Sequence, residues 1–339
     1  MIASGAWVPF VFEGWNEDAP GPAWRDAFGA RWPAYREWFL RGGESARPSY
    51  ADCVRALWTH MPELMALYER LVDLAGGGDL AARFLSMWDP PPYLSACSQA
   101  AWTGGRSGEG PMLVRNYDYA ADRFDGVVWS TAWSGRRVLG MSDCAWGLLD
   151  GMNETGLTIS LAFGGRRVLG HGFGTPLLLR YVLETCDDVA QARAALERVP
   201  VNLAYNLTLL DASGAFVTAF VGPDHPPRFV DVACTTNHQD LVEWPEHAEA
   251  TRSVERQAHM VSLLDHLGAG AGPFADAFLD PPLYSGPGGD SVVTLYTAEY
   301  RPREGSARYR WPDSSWERDF GSRASSHRAM IPAAGGAAP

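Results

Sequence analysis

The stretch Ser95-Ala96-Cys97-Ser98-Gln99-Ala100-Ala101-Trp102, a glycine-rich segment over 103–110, and then Pro111-Met112-Leu113-Val114-Arg115-Asn116-Tyr117-Asp118-Tyr119 decides the reading of this chain. Two short β-prone runs flank a glycine-rich turn, which predicts a hairpin. One run opens on a cysteine; the other ends on an arginine, an asparagine and an aspartate. Closing the hairpin brings a thiol beside a cation and a carboxylate. A neighbouring cation lowers a thiol's pKa and raises its thiolate fraction. Free cysteine is usually buried packing, so it is the Arg115-Asn116-Tyr117-Asp118 partner run that makes Cys97 a candidate nucleophile. The glycines lack the Gly-Lys-Ser/Thr of a phosphate loop and lead into a strand, so they read as a turn.

Upstream, residues 1–96 read as a mainly helical segment. A helix is expected over 24–40, another from Glu63 to Leu74 on apolar residues at helical spacing, stopped by Gly76-Gly77-Gly78, and a third from Asp79. Downstream the texture changes to strands at about 127–133, 137–142, 144–149 and 157–163, with a turn expected over 150–156. Two helices follow, the first opening on Thr175-Pro176. Further strands are expected at 206–211, 215–221 and 229–236, a helix at 249–267, and closing strands at 291–300 and 307–311. The tail 321–339 ends Ala-Ala-Gly-Gly-Ala-Ala-Pro and reads as low-complexity and disordered. The order predicts an α+β fold of two antiparallel sheets packed face to face with helices outside.

The totals bound the function. With 339 residues and 46% hydrophobic content the chain can build a substantial core, and a net charge of −12 argues against nucleic acid or an anionic membrane as partner. The five scattered cysteines, odd in number and without a Cys-x-x-Cys pair, favour reduced thiols and a cytoplasmic setting. The opening residues lack the basic region of a signal peptide, and no apolar run reaches bilayer length. The eight histidines form no ligand cluster, so no metal and no cofactor is expected.

Cys97, Arg115-Asn116-Tyr117-Asp118, the run Asp150 to Gly156, Thr236-Asn237-His238 and Ser253-Val254-Glu255-Arg256 together resemble the N-terminal-nucleophile (Ntn) hydrolases. Within them the chain is most similar to the acyl-coenzyme A:6-aminopenicillanic acid acyltransferase family, and more distantly to choloylglycine hydrolases. The resemblance implies a four-layer αββα sandwich and a precursor that cuts itself between Ala96 and Cys97. Residues 1–96 would be the small chain or propeptide, and 97–320 the catalytic core. It further implies that Cys97 is the nucleophile, that Asp118 holds the new α-ammonium, that Arg115 sits by the thiolate, and that Asn237 donates to the oxyanion. A backbone N–H at the end of the strand holding Phe163 would be the second donor. Asn116, Ser253 and Arg256 would brace the site, Arg252 being the competing arginine. The family carries glycine before the nucleophile, where this chain has Ala96, whose methyl restricts the backbone.

The implied activity is an amidohydrolase or N-acyltransferase that works through a Cys97 thioester. Its partner would be a small-molecule amide or an acyl donor such as an acyl thioester, and a homo-oligomer is compatible with the sequence. Two alternatives stand beside it. One is a papain-like Cys-His-Asn hydrolase using His238, His247 or His259; the other is an unprocessed, non-catalytic member of the fold.

Overall fold

The first described element is a strand. The computed structural model describes residues 6–104, 109–266, 270–287 and 292–333. Strand β1 (Trp7–Glu17) precedes helices α1 (Pro22–Phe39), α2 (Tyr50–His60), α3 (Met65–Leu74) and α4 (Asp79–Leu85). Strands β2 (Ala96–Trp102) and β3 (Met112–Tyr119) form the expected hairpin, with Ala96 opposite Asp118 and Cys97 opposite Tyr117. Positions 105–108 of its turn lie outside the described residues. Strands β4 (Val127–Thr131), β5 (Val138–Asp143), β6 (Gly147–Asn153) and β7 (Thr158–Phe163) lead to α5 (Thr175–Thr185) and α6 (Val189–Leu196). After β8 (Tyr205–Leu210), β9 (Phe216–Gly222), β10 (His225–Val230) and β11 (Cys234–Thr235) come α7 (Pro245–Ala250), α8 (Ser253–His266) and α9 (Ala271–Asp276). Strands β12 (Val293–Arg301), β13 (Ser306–Trp311), β14 (Ser314–Asp319) and β15 (Ser325–Pro332) close the chain.

These strands make two sheets. Nine run in the order β10-β9-β8-β7-β6-β5-β4-β1-β15, and six in the order β11-β2-β3-β12-β13-β14. The sheets face each other, as Phe12 of β1 packs 4.6 Å from Trp311 of β13 and Gln99 of β2 accepts a 2.7 Å hydrogen bond from Ser160 of β7. Helix α5 covers the outer face of the nine-stranded sheet, where Gly151 lets it approach: a Cβ there would come within 2.9 Å of Leu183. On the far side, Met260 of α8 and Phe274 of α9 bury Ala100, Val114 and Cys234 of the six-stranded sheet. The fold is a helix–sheet–sheet–helix sandwich, as the sequence predicted.

Several expectations are corrected. The sheets are not wholly antiparallel, because β1 runs parallel to β4. Residues 1–96 are mainly helical, and they also contribute β1, which lies between β4 and β15 inside the larger sheet. Pro9 is tolerated in β1 because residues 7–12 pair only with β15, leaving one strand edge that needs no N–H donor. The tail expected to be disordered contains β15, which pairs with β1 from Trp7–Pro332 to Gly14–Ser325. There Ala329 and Ile331 turn inward while Arg328 is exposed and Met330 half-buried, a short alternation that the surrounding alanine and glycine masked. Residues 334–339 of that tail lie outside the described residues.

The expected strand over 229–236 is broken between Val230 and Cys234, and the expected helix over 249–267 is broken at Arg252, whose φ is +51°. Asp150, expected in a turn, lies within β6. Position 291 and position 267, at the ends of two expected elements, lie outside the described residues. Among the described residues no helix is long and apolar enough to cross a membrane, and all five cysteines are free and buried.

Candidate active site

Strand β2 carries Cys97 inward, between the sheets. Alternation along β3 sends Arg115 to the same side and Asn116 and Asp118 to the opposite side, toward α8. Cys97 is fully buried, and Arg115 Nη2 lies 3.1 Å from its Sγ. The same nitrogen donates to Leu161 O at 2.9 Å, and Nη1 donates to Asp150 Oδ2 at 2.6 Å and to Tyr296 OH at 3.0 Å. Asp150 in turn accepts from Tyr296 at 2.6 Å and from Tyr300 at 2.5 Å. The guanidinium also stacks 4.8 Å from the Tyr117 ring. Both terminal nitrogens of Arg115 are therefore held by partners besides the sulfur.

Electrostatics follow from this packing. Burial pushes the Cys97 thiol up from its ordinary value, and the Arg115 charge pulls the other way. Burial opposes the charge on Arg115 too, but Tyr296, Cys97 and Asp150 outweigh it and hold the proton more tightly. The pair of Arg115 and Asp150 has no solvent exposure on either side chain. Removing one partner of such a pair typically costs about 3–5 kcal/mol.

Asn237 spans the peptide on either side of Ala96. Its Oδ1 accepts from Cys97 N at 2.9 Å, and its Nδ2 donates to Ser95 O at 3.2 Å and to Phe163 O at 3.1 Å. It sits beside Gly165, whose φ is +68° and where a Cβ would come within 2.1 Å of Asn237 O. Only glycine admits that approach. Ser253 Oγ accepts from Asn237 N at 2.9 Å, and Arg256 Nη2 donates to Asn237 Oδ1 at 2.7 Å. Arg256 reaches further, with Nη1 at 2.9 Å from Ser98 Oγ and 3.2 Å from Asp118 Oδ2. Thr294 donates to the other Asp118 oxygen at 2.7 Å.

Cys97, Arg115, Asn237, Ser253, Arg256 and Asp118 thus form one connected buried cluster. The Cys97 nitrogen bonds Asn237 Oδ1, while the Asp118 carboxylate is held by Arg256 and Thr294 on the α8 side of the strand. Burial raises the Asp118 pKa, with Arg256 opposing. Phe163 meets the site through its carbonyl, where a backbone N–H was expected. Asn116 faces away, donating to Phe278 O at 2.8 Å and Leu283 O at 3.0 Å, so it anchors a loop on the outer face. Arg252 is exposed and paired to Glu255, which leaves Arg256 as the arginine of the site.

The three candidate histidines lie elsewhere. His238 bonds Ser253 Oγ at 2.8 Å, and His247 packs against Phe163 and Trp244. Burial pushes His247 down to about 4, with Arg256 adding to the shift. Among the described contacts none of His238, His247 and His259 touches Cys97, so the papain-like arrangement is not formed.

Tyr296 and Tyr300 carry no signal in the sequence, and Asp150 enters it only as the start of a turn, not as the partner of Arg115. An aspartate inside the apolar run Leu148-Leu149-Asp150-Gly151-Met152 was the available signal, since a charge among inward-facing strand residues demands a partner.

No curated protein matches the chain. Among solved structures it is similar to a conjugated bile acid hydrolase from Clostridium perfringens, at 13% identity over 68% of this chain and 96% of that one, with a TM-score of 0.45. A penicillin V acylase from Agrobacterium tumefaciens matches at 14% identity over 66% of this chain and 86% of that one, with a TM-score of 0.48. A Caenorhabditis elegans ortholog of N-acylethanolamine-hydrolyzing acid amidase matches at 14% identity over 61% and 93%, with a TM-score of 0.43. A family model matches residues 105–316, a span that begins downstream of Cys97 and holds Arg115, Asp118, Asn237, Ser253 and Arg256. Since that span covers more than half of its residues, the chain belongs to the acyl-coenzyme A:6-aminopenicillanic acid acyl-transferase family.

Proposed function

We propose that this chain is a self-processing thiol enzyme of the Ntn type that cleaves or forms a non-peptide carbon–nitrogen amide bond through a thioester on Cys97. The observation that carries the reading is the placement of Asn237, with Ser95 O on its amide nitrogen and Cys97 N on its oxygen, while Arg115 faces the sulfur. Scission between Ala96 and Cys97 would free the Cys97 nitrogen as an amine. A free α-amine has a pKa near about 7.7–8.0 and a thiol about 8.5, so proton exchange between them costs little at neutral pH.

With Ser95 and Ala96 withdrawn, the Asn237 hydrogen that now meets Ser95 O would be released to donate to the oxyanion of a tetrahedral intermediate. One such donor typically contributes about 2.7–4 kcal/mol. The sulfur attacks the substrate carbonyl, the amine of Cys97 takes the thiol proton and returns it to the departing nitrogen, and the acyl group rests on Cys97 as a thioester. Water or an amine then takes the acyl group. The substrates would be an N-acyl compound or an acyl thioester, with an amine as acceptor where transfer occurs.

Intact-mass measurement on the denatured protein tests the reading, together with an assay of acyl-enzyme formation against a panel of amides and thioesters. Two pieces meeting at Ala96/Cys97 and an acyl adduct on Cys97 are expected, both lost in Cys97→Ala. An active preparation whose chain is unbroken, or activity kept by Cys97→Ala, overturns it. One piece that forms no adduct points to a non-catalytic member of the fold.

A further inference from the structure

The uncut chain poses a problem that its own contacts resolve. Before scission the Cys97 nitrogen is an amide that donates to Asn237 Oδ1, so the amine that would serve as base does not yet exist. The described polar neighbours of Cys97 Sγ are Arg115 Nη2 at 3.1 Å, Ser95 Oγ at 3.6 Å and the backbone of Asp118. A guanidinium and a backbone N–H only donate, whereas a hydroxyl both accepts and donates. Ser95 is thus the one described neighbour of the sulfur able to receive its proton. It is also held still: Ser95 is buried, and Asn237 Nδ2 grips its carbonyl at 3.2 Å.

We infer that Ser95 is the proton relay of the self-cutting step, a group used once and then discarded with the N-terminal segment. The inference rests on the scission proposed above. The Cys97 sulfur forms a bond to the Ala96 carbonyl carbon while its proton passes to Ser95 Oγ. Ser95 gives its own hydroxyl proton to the Cys97 nitrogen as the bond between that nitrogen and Ala96 breaks. The result is an Ala96 thioester on Cys97, with serine again neutral and nothing oxidised or reduced. Water then adds to the thioester carbonyl, the carbon–sulfur bond breaks, and a proton returns to sulfur. Ser95 leaves as the penultimate residue of the released segment, next to the new carboxyl end at Ala96, and the freed amine of Cys97 takes over as base for every later turnover.

The relay also bears on Ala96, which lies in regular strand pairing with Asp118 and is not among the residues of positive φ. A hydroxyl in contact with the thiol supplies chemically what backbone strain does not supply here.

Pulse-labelled cell-free synthesis of the full chain, followed over time and across pH, tests the inference. The wild-type chain is expected to be cut and Cys97→Ala to stay whole. Ser95→Ala is expected to slow scission by about tenfold or more, with a rate that climbs with pH as hydroxide replaces the missing hydroxyl. Ser95→Thr, which keeps the hydroxyl, should restore both the rate and the shallower pH profile. Scission of Ser95→Ala at the wild-type rate overturns the relay and leaves the proposed function standing. A slowed Ser95→Ala chain that keeps the wild-type pH profile also overturns it, by assigning Ser95 a packing role. A wild-type chain that stays whole overturns the relay together with the scission it depends on.

Discussion

Arg115 joins Cys97 to Asp150: one nitrogen of its guanidinium lies 3.1 Å from the sulfur, and the other lies 2.6 Å from the carboxylate. The cation beside the thiol is thus fixed by an anion on the opposite sheet, and the two sheets are pinned together at Cys97. Tyr296 and Tyr300 complete the anchor by donating to Asp150. The candidate site and the fold share one ion pair.

Replacing Asp150 with Asn should therefore act on both. The folded state is expected to lose about 3–5 kcal/mol, since Arg115 keeps its charge but loses its buried counter-ion. A fall in the urea midpoint at unchanged slope is the readout. Arg115→Met should raise the pKa of the Cys97 thiol and slow its alkylation at pH 7 by roughly tenfold, one pKa unit being one decade of thiolate. Alkylation at the wild-type rate would show that Arg115 does not tune the sulfur.

Two arginines four residues apart on α8 and its entrance should differ sharply in the size of their response. Arg256 is buried against Asp118, Asn237 and Ser98, whereas Arg252 pairs with Glu255 in solvent. Arg252→Ala should change stability by less than about 1 kcal/mol. Arg256→Ala should cost about 3–5 kcal/mol by leaving Asp118 without its counter-ion, and it should release Asn237 from its hold. Chemical denaturation of the two variants side by side checks the contrast, and equal losses would contradict it.

A second buried acid predicts a pH dependence. Burial pushes the Asp143 carboxyl up to about 8, with neighbouring Asp125 adding to the shift and the Cys144 N–H opposing it. The folded chain prefers this acid protonated. Its stabilising contribution is complete below the ordinary carboxyl value of 3.8 and is lost as pH rises through about 8. The wild-type urea midpoint should decline between about pH 5 and about pH 8. Asp143→Asn should flatten that decline and exceed the wild type at the upper end. A variant with the same slope as the wild type would show that Asp143 is ionised throughout.

The Cys97 hairpin was legible because it is local: two β-prone runs and a glycine turn form neighbouring strands whichever sheet they join. The same holds for α1, whose expected span of 24–40 is close to the observed Pro22–Phe39. Legibility failed where the partner was distant. Strand β1 is stabilised by pairing with the distant β4 and β15, and the edge strand β15 has β1 as its one neighbour in the sheet, so neither is specified by its local sequence. Composition alone made β15 look like tail.

The sequence by itself determined the hairpin that holds Cys97, the sandwich class, and the residues Cys97, Arg115, Asp118, Asn237, Ser253 and Arg256 as a candidate set. Only the tertiary structure decided how they meet: that Asp118 turns toward Arg256 while Arg115 turns toward the sulfur, that Asp150 is the anchor of Arg115, and that Arg256 rather than Arg252 faces inward. The physical reason is that strand alternation and the left-handed break at Arg252 set which side chains share a face. Buried charges take their partners from whatever the opposing sheet presents, and that choice is written in long-range packing.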